Sequence, residues 1–73
     1  MEVSSKFRWD LFLIDYKAYM FKQNKTLKEI SNECNVIPSV LSGLKTGRIT
    51  TLRLHTLNKI LKQMKLYYEF YLE

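Results

Sequence analysis

Thr26 stands three residues before Glu29, and that pair fixes where a helix begins. The threonine hydroxyl accepts from the amide three residues on, while the glutamate reaches back to the threonine amide. The helix it opens covers residues 27–33, with Leu27 and Ile30 apolar. Asn35 supplies a tight turn after it, because asparagine tolerates turn geometry that most residues resist. Pro38 then suits the first turn of a second helix, where its missing N–H would be unpaired in any case. That helix covers residues 38–44, with Val40, Leu41 and Leu44 apolar. Gly43 weakens its end and Gly47 closes the connection.

The flanking segments extend this pattern. Residues 7–22 lack Gly and Pro, and Phe7, Leu11, Ile14, Ala18 and Phe21 recur at spacings of four and three, the stripe of an amphipathic helix. Phe12, Tyr16 and Tyr19 widen it, so this helix is expected to bury more than one face. Gln23, Asn24 and Lys25 end it, with Asn24 suited to a left-handed stop. Thr50 or Thr51 caps a fourth helix, whose apolar stripe is Leu52, Leu54, Leu57, Ile60, Leu61 and Met64. Lys59, Lys62 and Lys65 face outward, and cations suit its last turn.

The period changes in residues 66–72. Leu66, Tyr68, Phe70 and Leu72 share one side at period two, and Tyr67, Glu69 and Tyr71 the other, which reads as one β-strand. A lone strand needs a partner. The chain offers no second one, so the expectation is the same strand of a second subunit, paired antiparallel across a two-fold axis. The aromatics of this segment are also compatible with a stacking platform for single-stranded nucleic acid.

Composition narrows the function. A chain of 73 residues is one domain, and at this size folding buries only about 60–65% of the unfolded surface. Hydrophobic residues at 47% exclude a disordered tail. The single Cys34 excludes a disulfide framework and a cysteine zinc site, and the single His55 a multi-histidine metal centre. No apolar run is long enough to span a membrane. Charges stand near the N-terminus where a signal peptide would be apolar. The expectation is a cytoplasmic domain that needs no cofactor. With one histidine and no glycine-rich phosphate loop, no catalytic constellation assembles, and no enzyme is expected. The net charge of +5 favours an anionic partner, nucleic acid first.

A capped short helix, a turn and a second short helix over residues 26–44 make a helix-turn-helix unit. The residues Thr26-Leu27-Lys28-Glu29-Ile30-Ser31, Val36, Ser39-Val40-Leu41-Ser42 and Leu44-Lys45-Thr46-Gly47-Arg48 resemble the Cro/C1-repressor (XRE) helix-turn-helix pattern. Thr51-Leu52, Leu57, Ile60-Leu61 and Leu66 are similar to the helix that follows in that pattern. Within the family the chain looks most like HipB-type antitoxins, whose compact domain also ends in a short dimer strand.

The resemblance implies an all-α, lambda-repressor-like bundle of four to five helices. It further implies a homodimeric repressor that reads an inverted-repeat operator in double-stranded DNA, and a HipA-type kinase toxin, or a subunit of a split one, as protein partner. It assigns DNA contact to Thr26, Lys28, Ile37, Pro38, Ser39, Ser42, Lys45 and Arg48, with Lys25 and Arg53 adding attraction to the backbone. It assigns dimerisation to Leu66, Tyr68, Phe70 and Leu72. Leu27, Ile37 and Pro38 stand where the family is usually polar, and Met20 replaces a common Arg. No Arg, Asn or Gln falls on the early second helix, so base reading is expected to be thin and helped by DNA shape. Two alternatives stay open: a phage, plasmid or restriction-system regulator of the same fold, and a helix-turn-helix used for protein contact.

Overall fold

The structure is a computed structural model that describes residues 2–73. Four helices, α1 (Trp9–Lys22), α2 (Leu27–Cys34), α3 (Pro38–Thr46) and α4 (Leu54–Met64), are followed by a short 3-10 turn at Tyr68–Tyr71. The all-α expectation holds at that level. No helix among the described residues is long and apolar enough to cross a membrane.

Local chemistry sets most boundaries. At the start of α2 the Glu29 N–H donates to Thr26 Oγ1 at 3.2 Å and the Thr26 N–H donates to Glu29 Oε1 at 3.2 Å, the reciprocal cap that the spacing implies. Asn35 ends α2 in the left-handed region at φ 57°. Pro38 is the first residue of α3, and Gly47 ends that helix at φ 84°. The helix therefore runs through Gly43 and two residues past the expected end at Leu44. A Cβ on Gly43 would lie 2.6 Å from Ile49 Cδ1, so the missing side chain lets the chain fold back, and the Ile49 N–H donates to the Gly43 carbonyl at 3.0 Å. Helix α4 begins at Leu54 with Arg53 as an extended cap residue, so Thr50 and Thr51 lie in the segment before it. Lys65 closes it in the left-handed region at φ 60°.

Three expectations for α1 are corrected. It starts at Trp9, because Phe7 leaves the helical path to form a bridge described below, and it ends with Gln23 extended at ψ 135° instead of a left-handed Asn24. Its buried face is also different. Phe12 and Tyr16 are buried, with Trp9, Leu13, Tyr19 and Met20 packed beside them. The stripe Leu11, Ile14, Ala18 and Phe21 faces outward, with Phe21 91% exposed. Both sets have helical spacing, so periodicity does not choose between them. The larger aromatic surface goes inward, where the Tyr16 hydroxyl donates to the buried Leu41 carbonyl of α3 at 2.8 Å. Burial holds the Tyr16 hydroxyl far above its ordinary pKa, so it stays protonated and remains a donor.

Residues 66–72 do not form the expected strand. The chain is extended at Tyr67 and Leu72, on either side of the 3-10 turn. Leu72 makes one antiparallel bridge to Phe7 of the same chain, and the Glu73 N–H donates to the Lys6 carbonyl at 3.1 Å. The tail thus finds its backbone partners within its own subunit. The four residues assigned to a dimer strand share no face: Leu66 and Tyr68 are half-buried, while Phe70 and Leu72 are exposed. Tyr71, placed on the opposite side by the alternation, is buried, and its hydroxyl donates to Asp15 Oδ2 at 2.6 Å. The Phe7 ring decides this arrangement, lying 5.1 Å from the Tyr68 ring and 5.6 Å from the Tyr71 ring. An extended strand would withdraw Tyr71 from that cluster and expose it.

The buried side chains form one core cluster. Ile30, Cys34, Val36, Leu41, Leu44, Leu57, Ile60 and Leu61 hold α2, α3 and α4 together. Phe7, Phe12, Tyr16 and Tyr71 close both chain ends over α1. Cys34 is buried, and that burial raises its thiol pKa.

Candidate nucleic-acid interface

Residues Asn35, Val36 and Ile37 join α2 to α3. This three-residue turn is braced from both sides. Val36 is buried, and its N–H donates to the Ser31 carbonyl at 3.2 Å. The buried Ser31 hydroxyl donates in return to the Val36 carbonyl. From α4, Lys59 Nζ donates to the Asn35 carbonyl at 3.2 Å. Gln63 Nε2 donates to Glu33 Oε1 at 2.8 Å, tying α4 to the end of α2. Replacing Ser31 with Ala leaves a buried carbonyl without this partner and should cost about 1–3 kcal/mol. Denaturant unfolding checks this; a loss below about 0.5 kcal/mol, the range of ordinary surface changes, would remove the brace from the account.

The turn sets the exposed start of α3. Ile37 is its extended cap residue and 63% exposed, and Pro38 and Ser39 beside it are exposed as well. Ser42, one turn on, is half-buried. Lys45 and Arg48 are exposed at and beyond the far end of α3. Arg48 Nη2 donates to the Ser39 carbonyl at 3.2 Å, which brings the guanidinium back to the first turn of α3. Ser39 and Arg48, nine residues apart in the chain, become neighbours.

On α2, Thr26 and Lys28 are exposed. Glu29 occupies the Thr26 amide and also accepts from the Thr26 hydroxyl at 3.1 Å. The amides of Leu27 and Lys28 are then the first-turn donors that remain for an anion. Lys25 departs from its expected role. Its ammonium is 2.7 Å from Glu33 Oε2, and the hydrogen bond they share raises the lysine pKa and lowers that of the carboxyl. A cation so partnered adds little attraction for a phosphate.

Three contributors were missed by reading residues singly: Ser31, Lys59 and Gln63 act through the turn and not at the surface. One larger signal was legible. No acidic residue lies between Glu33 and Glu69, while Lys45, Arg48, Arg53, Lys59, Lys62 and Lys65 all do. The five acids Glu2, Asp10, Asp15, Glu29 and Glu33 precede that stretch. The positive charge is thus concentrated in α3, α4 and their connection, where cations lack acidic neighbours in sequence. No family model, curated protein or solved structure matches the chain.

Proposed function

We propose that this protein is a helix-turn-helix DNA-binding repressor that acts as a homodimer on an inverted-repeat operator. The observation that carries the reading is the braced Asn35–Val36–Ile37 turn, which presents the exposed start of an acid-free α3, with Lys45 and Arg48 at and beyond its far end. In this reading the first turn of α3 enters the major groove and its early residues meet base edges. Ser39 and Ser42 accept or donate to either kind of base pair. The exposed Ile37 and the Pro38 ring provide an apolar surface for thymine methyl groups. Lys28, Lys45, Arg48 and Arg53 neutralise phosphates, and α2 offers its amide end to one more. Two protomers place their α3 helices about 34 Å apart, in successive major grooves.

The resemblance to HipB-type antitoxins extends the proposal to a setting. The repressor would act on the promoter of its own operon and bind a HipA-type kinase toxin or a subunit of a split one. A protein-contact use of the same surface is the second reading, favoured by the exposure of Ile37.

Fluorescence anisotropy with the protein's upstream promoter, beside a scrambled duplex, separates the two. With Lys28, Lys45, Arg48 and Arg53 on each of two protomers, affinity should fall about a thousandfold or more between roughly 50 and 200 mM salt, and the promoter should be preferred. Equal or absent binding to both duplexes would turn the assignment to the protein-contact reading.

A further inference from the structure

Arg48 reaches the first turn of α3 by crossing Gly43. The Ser39 carbonyl accepts from Arg48 Nη2 at 3.2 Å. In an α-helix that carbonyl also faces the amide four residues on, here that of Gly43. The guanidinium therefore meets it across the position where a side chain of residue 43 would stand. A helical Cβ leans toward the N-terminus of its helix, which at this position is toward Ser39. A Cβ on Gly43 would lie 3.2 Å from Arg48 Nη2, and 2.6 and 2.8 Å from Ile49 Cδ1 and Cγ1. Gly43 is buried, and the atoms nearest to its missing side chain belong to Arg48 and Ile49.

Backbone conformation does not explain this glycine. Gly47 has a positive φ, whereas Gly43 lies inside α3 with no such requirement. Within a helix glycine is less favourable than alanine. What Gly43 supplies is room.

We propose that Gly43 is a positioning residue for Arg48: its notch seats the guanidinium beside Ser39, ready for one DNA phosphate. The inference rests on the DNA-binding reading of α3 and names the residue that fixes one of its phosphate contacts. Ser39 accepts one of the five N–H groups of the guanidinium, and the described residues supply it with no carboxylate. The rest of the fork is open to a phosphate, which arginine grips with two parallel hydrogen bonds. Holding the side chain in place beforehand removes part of the ordering cost of binding.

Two measurements test the seat, the first without DNA. NMR relaxation of the Arg48 Nε–H group should show it more ordered than that of Arg53, an exposed arginine with no side-chain hydrogen bond among the described residues. Gly43→Ala should lower the order of Arg48 to the Arg53 level. The second is a double-mutant cycle in promoter binding. Gly43→Ala should weaken binding roughly three- to tenfold in wild-type protein and equally in Lys45→Ala, and should have no effect in Arg48→Ala, because the two residues act through one contact. A glycine needed only for the shape of α3 would weaken binding in all three backgrounds, and that result overturns the proposal. An Arg48 side chain as mobile as Arg53 in wild-type protein overturns it too. Helix propensity favours alanine at position 43 and the end of the Ile49 side chain can turn aside, so the circular dichroism spectrum should be unchanged. Should Gly43→Ala fail to fold, Gly43→Ala/Ile49→Val takes its place, since it removes Ile49 Cδ1 and keeps the close approach to Arg48. Wild-type protein that binds no duplex would overturn the reading of α3 and with it the phosphate contact, while the seat itself stands or falls on the relaxation measurement.

Discussion

Phe12→Ala should lower the melting temperature by at least about 15 °C, the largest stability loss expected of a single substitution in this chain. Phe12 is fully buried, and its ring lies 6.0 Å from Phe7, 5.9 Å from Trp9, 6.1 Å from Tyr16 and 5.9 Å from Tyr71. It joins both chain ends to the face of α1 that meets α3 through Tyr16. Removing a buried phenylalanine costs about 3–5 kcal/mol, against a total stability of roughly 4–11 kcal/mol for a domain of this length. The cavity has little means to collapse, because Tyr16 and Tyr71 are held by their hydroxyls to the Leu41 carbonyl and to Asp15. Calorimetry checks the figure. A fall of only a few degrees would mean that the aromatic cluster closes over the gap, and that the two chain ends are not fastened through Phe12.

Lys45→Ala/Arg48→Ala should weaken binding to every duplex, by roughly ten- to a hundredfold at moderate salt, and should flatten the salt slope by about one unit for each phosphate no longer neutralised. Both residues are exposed, so thermal stability should barely change. The preference for promoter over scrambled DNA should survive, because in the proposed complex the pair neutralises backbone phosphates and does not read base edges. Arg48 has a second role. Its bond to the Ser39 carbonyl ties it to the first turn of α3, so Arg48→Ala alone should cost more affinity than Lys45→Ala alone. An unchanged salt slope in the double variant would remove both residues from the interface.

The parts of this fold that were legible in the sequence are those governed by local chemistry. The Thr26–Glu29 cap, the left-handed Asn35 and the leading Pro38 each act within a few residues, and the α2–turn–α3 unit follows from them. The apolar stripe of α4 was legible too, because only one of its faces is apolar. Helix α1 was not, since apolar residues surround it, and the choice of buried face depends on Leu41, a residue from another helix. Residues 66–72 misled for a related reason. Their alternation is compatible with a strand, but the partner that decides their shape is Phe7, at the other end of the chain. At the candidate interface the exposed residues were assigned through the family resemblance. The groups that hold them, Ser31, Lys59 and Gln63, are visible only once α4 is seen packed against the turn.

The assignment of α3 to the major groove is tested most directly by a backbone-amide chemical-shift titration of the protein with its promoter duplex. The account predicts that shifts concentrate at residues 27–28, 37–42 and 45–48, with the outer face of α1 unaffected beyond any change in dimer population. Shifts spread over α1 and the C-terminal turn, with α3 silent, would contradict it.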